Sequence, residues 1–489
     1  MRRAWIVALV LAGVLSQTVV AQDAKTIISS ASRAMGVEGL NSIHYYGVAQ
    51  NGNLGQNNNS NQPWPMTAAN DYVRAIDFTQ PASRATWQTY AIPVTGGAAA
   101  LAAGQQNITP QNMAWAQQLE IWITPWGFLK GAAANNGAAR AQTVDGKRYQ
   151  VVTFNAPIKS AGGLPYRVEG YINNQNLVEK VRTWLENPIF GDMLVEAEYT
   201  FYRNGANGLK FPAQMVQKRG GWPTFSAYIL GAHPNPANIQ QLVTPPPAGQ
   251  RGGGAPAGGG APAAAAPTSE KLADGVFRIN GAYNALAIEF ADHIVLFEPG
   301  PQNEVRAQAV IAEAKKVIPN KPIRYGIISH HHFDHTSGLP AVVAEGITIV
   351  TPEVNKAFLM SALSAPRTLA PDSLSKSGKK PVVEGFTGDK RVFQDGTRTL
   401  EVHVIKGLPH ADGIVIGYLP KERILVYADM FNLPTAAAPL PNPPVVGTMV
   451  FLENLERLNF NVDRIMSIHS LNPDRLTSMA DIRASLGRK

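Results

Sequence analysis

Cysteine is absent from all 489 residues. That excludes disulfides, a thiolate metal ligand, a cysteine nucleophile and a lipid-bearing cysteine behind a leader. Long apolar runs are scarce as well. The longest, Ala4–Leu15, is too short to cross a bilayer comfortably, so no integral membrane segment is expected in the mature chain. Charge is sparse: 16% of residues are Asp, Glu, Lys or Arg, with a net charge of +8. There is no Lys/Arg run and no basic stripe with interleaved aromatics, which excludes a nucleic-acid groove. A G-x-S-x-G elbow is missing, and with it the usual exposed serine nucleophile. Tryptophan is missing from the whole of residues 223–489.

What is present divides the chain into four parts. Arg2 and Arg3 precede the apolar run, and Val19-Val20-Ala21 offers the small residues a signal peptidase reads. Residues 1–21 are therefore expected to be an export signal, and the mature protein to be periplasmic or secreted. Residues 22–243 read as a mainly antiparallel β domain behind one helix, Ala24–Met35. Val195, Ala197, Tyr199 and Phe201 alternate with polar neighbours, as do Tyr166, Val168 and Ile172, and glycine pairs mark the hairpins. This helix and meander, with Gly208-Leu209-Lys210-Phe211-Pro212 and Gly220-Gly221-Trp222, resemble the half-barrels of periplasmic lipoprotein carriers.

Within that half the Asn/Gly-rich Gln50–Gln62 and the Ala/Gly-rich 96–104 and 131–139 read as inserted loops. Seven tryptophans, Trp64 to Trp222, fall here. They suit a packed sheet core, or alternatively an aromatic groove for a lipophilic ligand. Residues 244–270 contain 21 Gly, Pro or Ala among 27 and cannot bury a core. They read as a flexible tether spanning roughly 30 Å, which would leave the two halves independent.

Chemistry concentrates in residues 271–489. The apolar run Ile323–Ile328 reads as a buried strand, and Leu339–Ala344 as a short helix; between them stands Ser329-His330-His331-His332-Phe333-Asp334-His335. His330 and His332 leave the same side of an extended segment, while Asp334 and His335 come off the turn after it. Imidazole and carboxylate are the donors zinc takes, and four of them within six residues form a metal-binding pattern. Three further candidates each follow an apolar, strand-like run: His410, Asp429 and His469. His331 alternates off the ligand face, His403 lies within a strand pattern, and His44, His233 and His293 have no partners by spacing.

This order of HxHxDH, His, Asp and His resembles the metallo-β-lactamase-fold hydrolases at all seven positions. The resemblance implies an αββα sandwich of α/β class for residues 271–489, and two zinc ions. His330, His332 and His410 would hold one ion, and Asp334, His335 and His469 the other, with Asp429 bridging. It further implies a hydroxide held between the ions, with Asp334 as the catalytic residue that orients it and takes its proton. The reaction would be hydrolysis of an ester-like bond in a small-molecule substrate: a lactone, thioester or β-lactam. Asp429 favours the thioesterase, lactonase and phosphodiesterase branches, since true β-lactamases usually carry Cys or Ser there, whereas export favours a β-lactamase. The Pro-rich Leu433–Met449 would wall the pocket or merely connect. Glu298 departs from the family, which has Asp before that glycine turn. The alternative is a binding or carrier protein with a structural or vestigial metal domain; a vestigial site would be expected to lose ligands, and none is lost here.

Overall fold

The computed structural model describes residues 23–91, 100–111, 114–246, 267–434 and 439–488. The expected export signal, most of the expected tether (247–266) and residues 96–99 lie outside them. Among the described residues the strands form three sheets.

The first is an antiparallel sheet of eleven strands that holds the N-terminal half together. From one edge it runs Ala100–Ile108, Ala82–Ala91, Met66–Asp77, Ser42–Gly52, Trp222–Pro234 and Lys210–Arg219. It continues through Gly191–Asn204, Val178–Asn187, Pro165–Ile172, Lys147–Lys159 and Ala138–Val144 to the other edge. Alternation decides what each strand buries: Met193, Val195, Ala197 and Tyr199 enter the core, and the residues between them do not. Helices Ala24–Ala34, Trp115–Trp122 and Pro125–Ala134 pack with this core, where Trp126 and Phe128 are fully buried.

The tryptophans are thus mostly core residues, as the first of the two readings expected. Two of the expected loops are corrected. Gly131–Ala134 ends a helix and Ala138–Ala139 opens a strand, while residues 100–104 belong to an edge strand. Alanine is a strong helix former, which suits the helix end, but alanine and glycine are disfavoured in strands, so tertiary pairing set the two strand segments.

The C-terminal half is a sandwich of two sheets with helices on both outer faces. Seven strands, from Ser269–Ala273 to Val383–Phe386, make one sheet, and five, from Lys390–Gln394 to Arg464–Ser467, the other. Ser269 and Glu270 thus begin the first strand and do not belong to the tether. The run Ile294–Phe297 explains the layering. Ile294 and Leu296 face helices Glu304–Val317, Leu339–Glu345 and Glu353–Leu363, whereas Val295 and Phe297 face the second sheet. Both faces are buried, so the strand has no polar alternation to show. Ile424–Tyr427 repeats this logic: Ile424 and Val426 turn to the inter-sheet core, and Leu425 and Tyr427 to helices Val446–Leu458 and Met479–Ser485. The last helix begins at Met479, where Ser478 and Asp481 form a capping box.

The halves do not float on a tether. Leu369, from the second half, is buried in the hydrophobic core of the first. Asp192 of the first half accepts from the Thr368 and Leu369 amides, and its own amide donates to the Pro366 carbonyl at 2.7 Å. Arg367, buried, donates to the carbonyls of Pro188 and Ile189 at 2.9 and 2.7 Å. The expectation of independent halves is corrected accordingly: it rested on the composition of the tether, which says nothing of the surfaces the tether joins.

Candidate metal centre

Topology brings the predicted ligands to one edge of the sandwich. The strand Ile323–Ile327 is parallel to Ile294–Phe297, and Ile424–Tyr427 to Arg464–Ser467, so the turns leaving each pair start side by side. His330 and His332 follow the first, Glu298 the second, Asp429 the third and His469 the fourth; His410 comes from the loop before strand Val415–Leu419. Glu298 and Asp429 both have left-handed backbones, with φ of 64° and 59°, a costly conformation for residues with side chains. Glu298 sits one residue and Asp429 two residues beyond its strand, and each turns a carboxylate into the site.

All seven predicted residues converge. Donor atoms of His330, His332 and His410 lie within 4.8 Å of one another, and so do those of Asp334, His335 and His469. The ring nitrogens of His330 and His410 approach to 3.2 Å, as do those of His335 and His469. Asp429 stands between the groups: its Oδ2 is 2.8 Å from His335 Nε2, 3.6 Å from His330 Nε2 and 3.9 Å from His410 Nε2. Its Oδ1 is 2.8 Å from His469.

Burial and hydrogen bonding set the protonation states. Burial holds His330 well below its ordinary pKa and pushes His332 down to about 3, so both rings stay neutral and keep a free lone pair. Burial also opposes protonation of His335. The carboxylates of Glu298, Asp429 and Asp334 overcome it and hold that ring well above the ordinary value until a cation takes the proton's place. Burial works against ionising Asp429, but His335 outweighs it and keeps the carboxylate charged.

The residues fit a divalent metal. His332 Nδ1 is a buried polar atom without a hydrogen-bond partner, and Asp429 Oδ2 is buried with only the ion-pair contact to His335 Nε2. Such atoms are costly unless a ligand satisfies them. A second set of contacts aims the donors, as metal sites require. Glu298, the departure noted above, puts Oε1 3.0 Å from His335 Nδ1 and leaves Nε2 facing the site. The longer side chain thus takes up the orienting role. Tyr283, which no sequence pattern singled out, donates its hydroxyl to Asp334 Oδ2 at 2.9 Å.

The N-terminal half also reaches in. Gln56 donates to Asp334 Oδ1 at 2.9 Å, and the Asn57 carbonyl lies 2.8 Å from His331 Nε2 and 3.0 Å from His332 Nε2. His331 is thus off the ligand face as expected, but it is fully buried and not a bystander. His44 and His233 stack across neighbouring strands with ring centroids 6.1 Å apart, and His293 pairs with Asp292.

The site opens into a cavity of about 480 Å³ whose lining includes His410, Asp429 and His469. Leu408, Met430, Phe431, Leu433, Pro434, Pro441, Val445 and Leu486 make its apolar walls, so the Pro-rich segment does border the pocket. No Lys or Arg lines it among the described residues.

Residues 278–459 match the family profile described as metallo-beta-lactamase superfamily. Among solved structures, a metallo-beta-lactamase from Pontibacter korlensis is 18% identical, with 45% of this chain and 97% of that one covered at a TM-score of 0.34. The mono-zinc form of the metallo-beta-lactamase FIM-1 from Pseudomonas aeruginosa is 15% identical, covering 46% of this chain and 96% of that one, also at 0.34. No curated protein matches the chain.

Proposed function

We propose that this chain, whose residues 278–459 belong to the metallo-β-lactamase superfamily, is an exported zinc-dependent hydrolase that cleaves an ester-like bond in a small, largely uncharged acyl substrate. The observation that carries the reading is the convergence of seven nitrogen and oxygen donors, among them the orphaned His332 Nδ1, beside an apolar cavity. Export rests on Arg2, Arg3 and the apolar run ending before Val19-Val20-Ala21.

His330, His332 and His410 would hold one ion and Asp334, His335 and His469 the second, with Asp429 shared. When bound, the cations supply Lewis acidity and make water acidic enough to react near neutral pH. The protein's own groups supply orientation. Gln56 fixes one oxygen of Asp334, and the Tyr283 hydroxyl fixes the other within 3.3 Å of His335 Nε2. So held, Asp334 is the general base that accepts the nucleophile's proton. Burial and the Asp334 carboxylate raise the Tyr283 pKa, so its hydroxyl stays protonated and remains a donor.

The cavity narrows the substrate class within lactone, thioester and β-lactam. Met430 to Leu452 is an unbroken stretch of 23 uncharged residues, and it supplies much of the apolar wall. Away from the ions, a substrate carboxylate would have to be desolvated there with no Lys or Arg to meet it, whereas an acyl chain would bury its carbons favourably. A panel tests this: an acyl-homoserine lactone, an acyl thioester, a chromogenic cephalosporin and a bis-aryl phosphate, each offered to zinc-loaded protein. Turnover of the lactone or thioester well above that of the cephalosporin is expected. Preference for the phosphate, or no turnover of any, would reject the reading.

A further inference from the structure

The loop Asn53–Gln62 belongs by sequence to the first half, yet its interior is packed against the second. Asn57 and Ser60 are 1% and 4% exposed. Its contacts fall on the chain segments that carry the ligands. The Gly55 carbonyl accepts from the Phe333 amide at 3.2 Å, and the Asn58 carbonyl from the Asp412 amide at 2.6 Å, two residues beyond His410. Asn59 Nδ2 reaches Asp412 Oδ2 at 3.0 Å. The Asn57 carbonyl is the centre of the arrangement. An oxygen with no proton of its own, it obliges both His331 and His332 to present Nε2–H to it. In a neutral His332 that leaves the lone pair on Nδ1, the buried nitrogen with no partner. The Asn57 side chain donates to the carbonyls of Asn59 and Gln62 at 2.6 and 2.9 Å, tying the turn into the shape that aims its backbone oxygen.

We infer that Gln56 and Asn57 are positioning residues of the metal centre: the N-terminal half fixes the His332 tautomer and the Asp334 rotamer, so metal binding and docking of the two halves form one linked equilibrium. Reciprocity follows, since whatever docking adds to zinc affinity zinc must add to docking. Gly55 is the steric condition for the arrangement. Its φ is +82°, and a Cβ there would lie 2.2 Å from Cγ of Phe333. Around that ring Trp64 and Phe190 of the first half pack edge-on, at centroid distances of 5.8 and 5.5 Å.

The inference rests on the metal centre of the proposed function, and the test separates the two. Full-length wild type, Gln56→Ala and Gly55→Ala are compared, with far-UV circular dichroism to establish folding. Zinc affinity is read by competition with a chromophoric chelator, and the cobalt(II)-loaded visible spectrum reports ligand geometry. Loss of a partner that orients a ligand typically costs about ten- to a hundredfold in metal affinity. Losses of that size are expected in both variants, together with a changed cobalt spectrum. In wild type, zinc should raise the melting temperature detected by tryptophan, all of which lies outside residues 223–489, and in Gly55→Ala that rise should shrink. Unchanged affinity in both folded variants would overturn the inference, as would lowered affinity with an unchanged cobalt spectrum, which would make the loop merely structural. A wild type that binds no zinc would overturn the proposed function as well.

Discussion

Arg367→Ala measures how strongly the two halves are joined, because the residue lies in one half and half of its partners in the other. Its guanidinium, with the side chain only 3% exposed, pairs with Asp372 at 2.9 Å. It also donates to Pro188 and Ile189 across the interface, and to Ala362 in its own half. A hydrogen bond to a charged group contributes about 1.5–3 kcal/mol, and breaking a buried ion pair by removing one partner costs about 3–5 kcal/mol. The neighbouring cavity of about 270 Å³ is lined by Asp372 and Pro188 and admits solvent to the freed carboxylate, which places the loss near the lower figure, about 3 kcal/mol. For a large cooperative unit that is a fall in melting temperature on the order of 5 °C. The assay is thermal unfolding followed by tryptophan emission, which reports only the first half. A substitution in the second half should therefore lower a signal from the first. An unmoved tryptophan transition beside an earlier loss of circular dichroism would refute the reasoning and restore the tethered, independent halves.

Asp334→Ala should lower turnover about a hundredfold, the scale of general acid–base work, as measured on zinc-loaded protein with the best substrate of the panel. His331→Ala should weaken zinc binding through the Asn57 carbonyl although His331 is no ligand; affinity equal to wild type would contradict that. Zinc binding should release the proton that His335 holds before a cation arrives, in addition to any that metal-bound water gives up. That proton is held below the raised pKa and lost above it, so zinc affinity should fall as the pH is lowered. Calorimetry in buffers of differing ionisation enthalpy reads the proton count, and a count near zero would show that His335 is already neutral.

The candidate donor set that converges in the structure was legible because its chemistry is carried by side chains at fixed spacing: His330, His332, Asp334 and His335 announce themselves, and His410, Asp429 and His469 each follow an apolar run. The sandwich was legible from the same runs, since strands buried on both faces, such as Ile294–Phe297, cannot be polar. The N-terminal loop was not. Gln50–Gln62 has the composition of a solvated insertion, and its part in the site is played largely by the carbonyls of Gly55, Asn57 and Asn58, which every residue possesses. Tyr283 escaped because a lone tyrosine beside a strand has no spacing to betray it. Glu298 was visible only as an exception, and its longer reach to His335 explains why the exception is tolerated.

Metal content per chain tests the central claim most directly. Purified mature protein, supplemented with zinc, freed of excess by gel filtration and analysed by elemental mass spectrometry, should carry about two zinc ions per chain, as seven nitrogen and oxygen donors in two groups around one carboxylate require. Asp429→Ala should retain one ion or fewer, because that carboxylate faces both groups. Trace metal in the wild type, or two ions held as firmly without Asp429, would contradict the account.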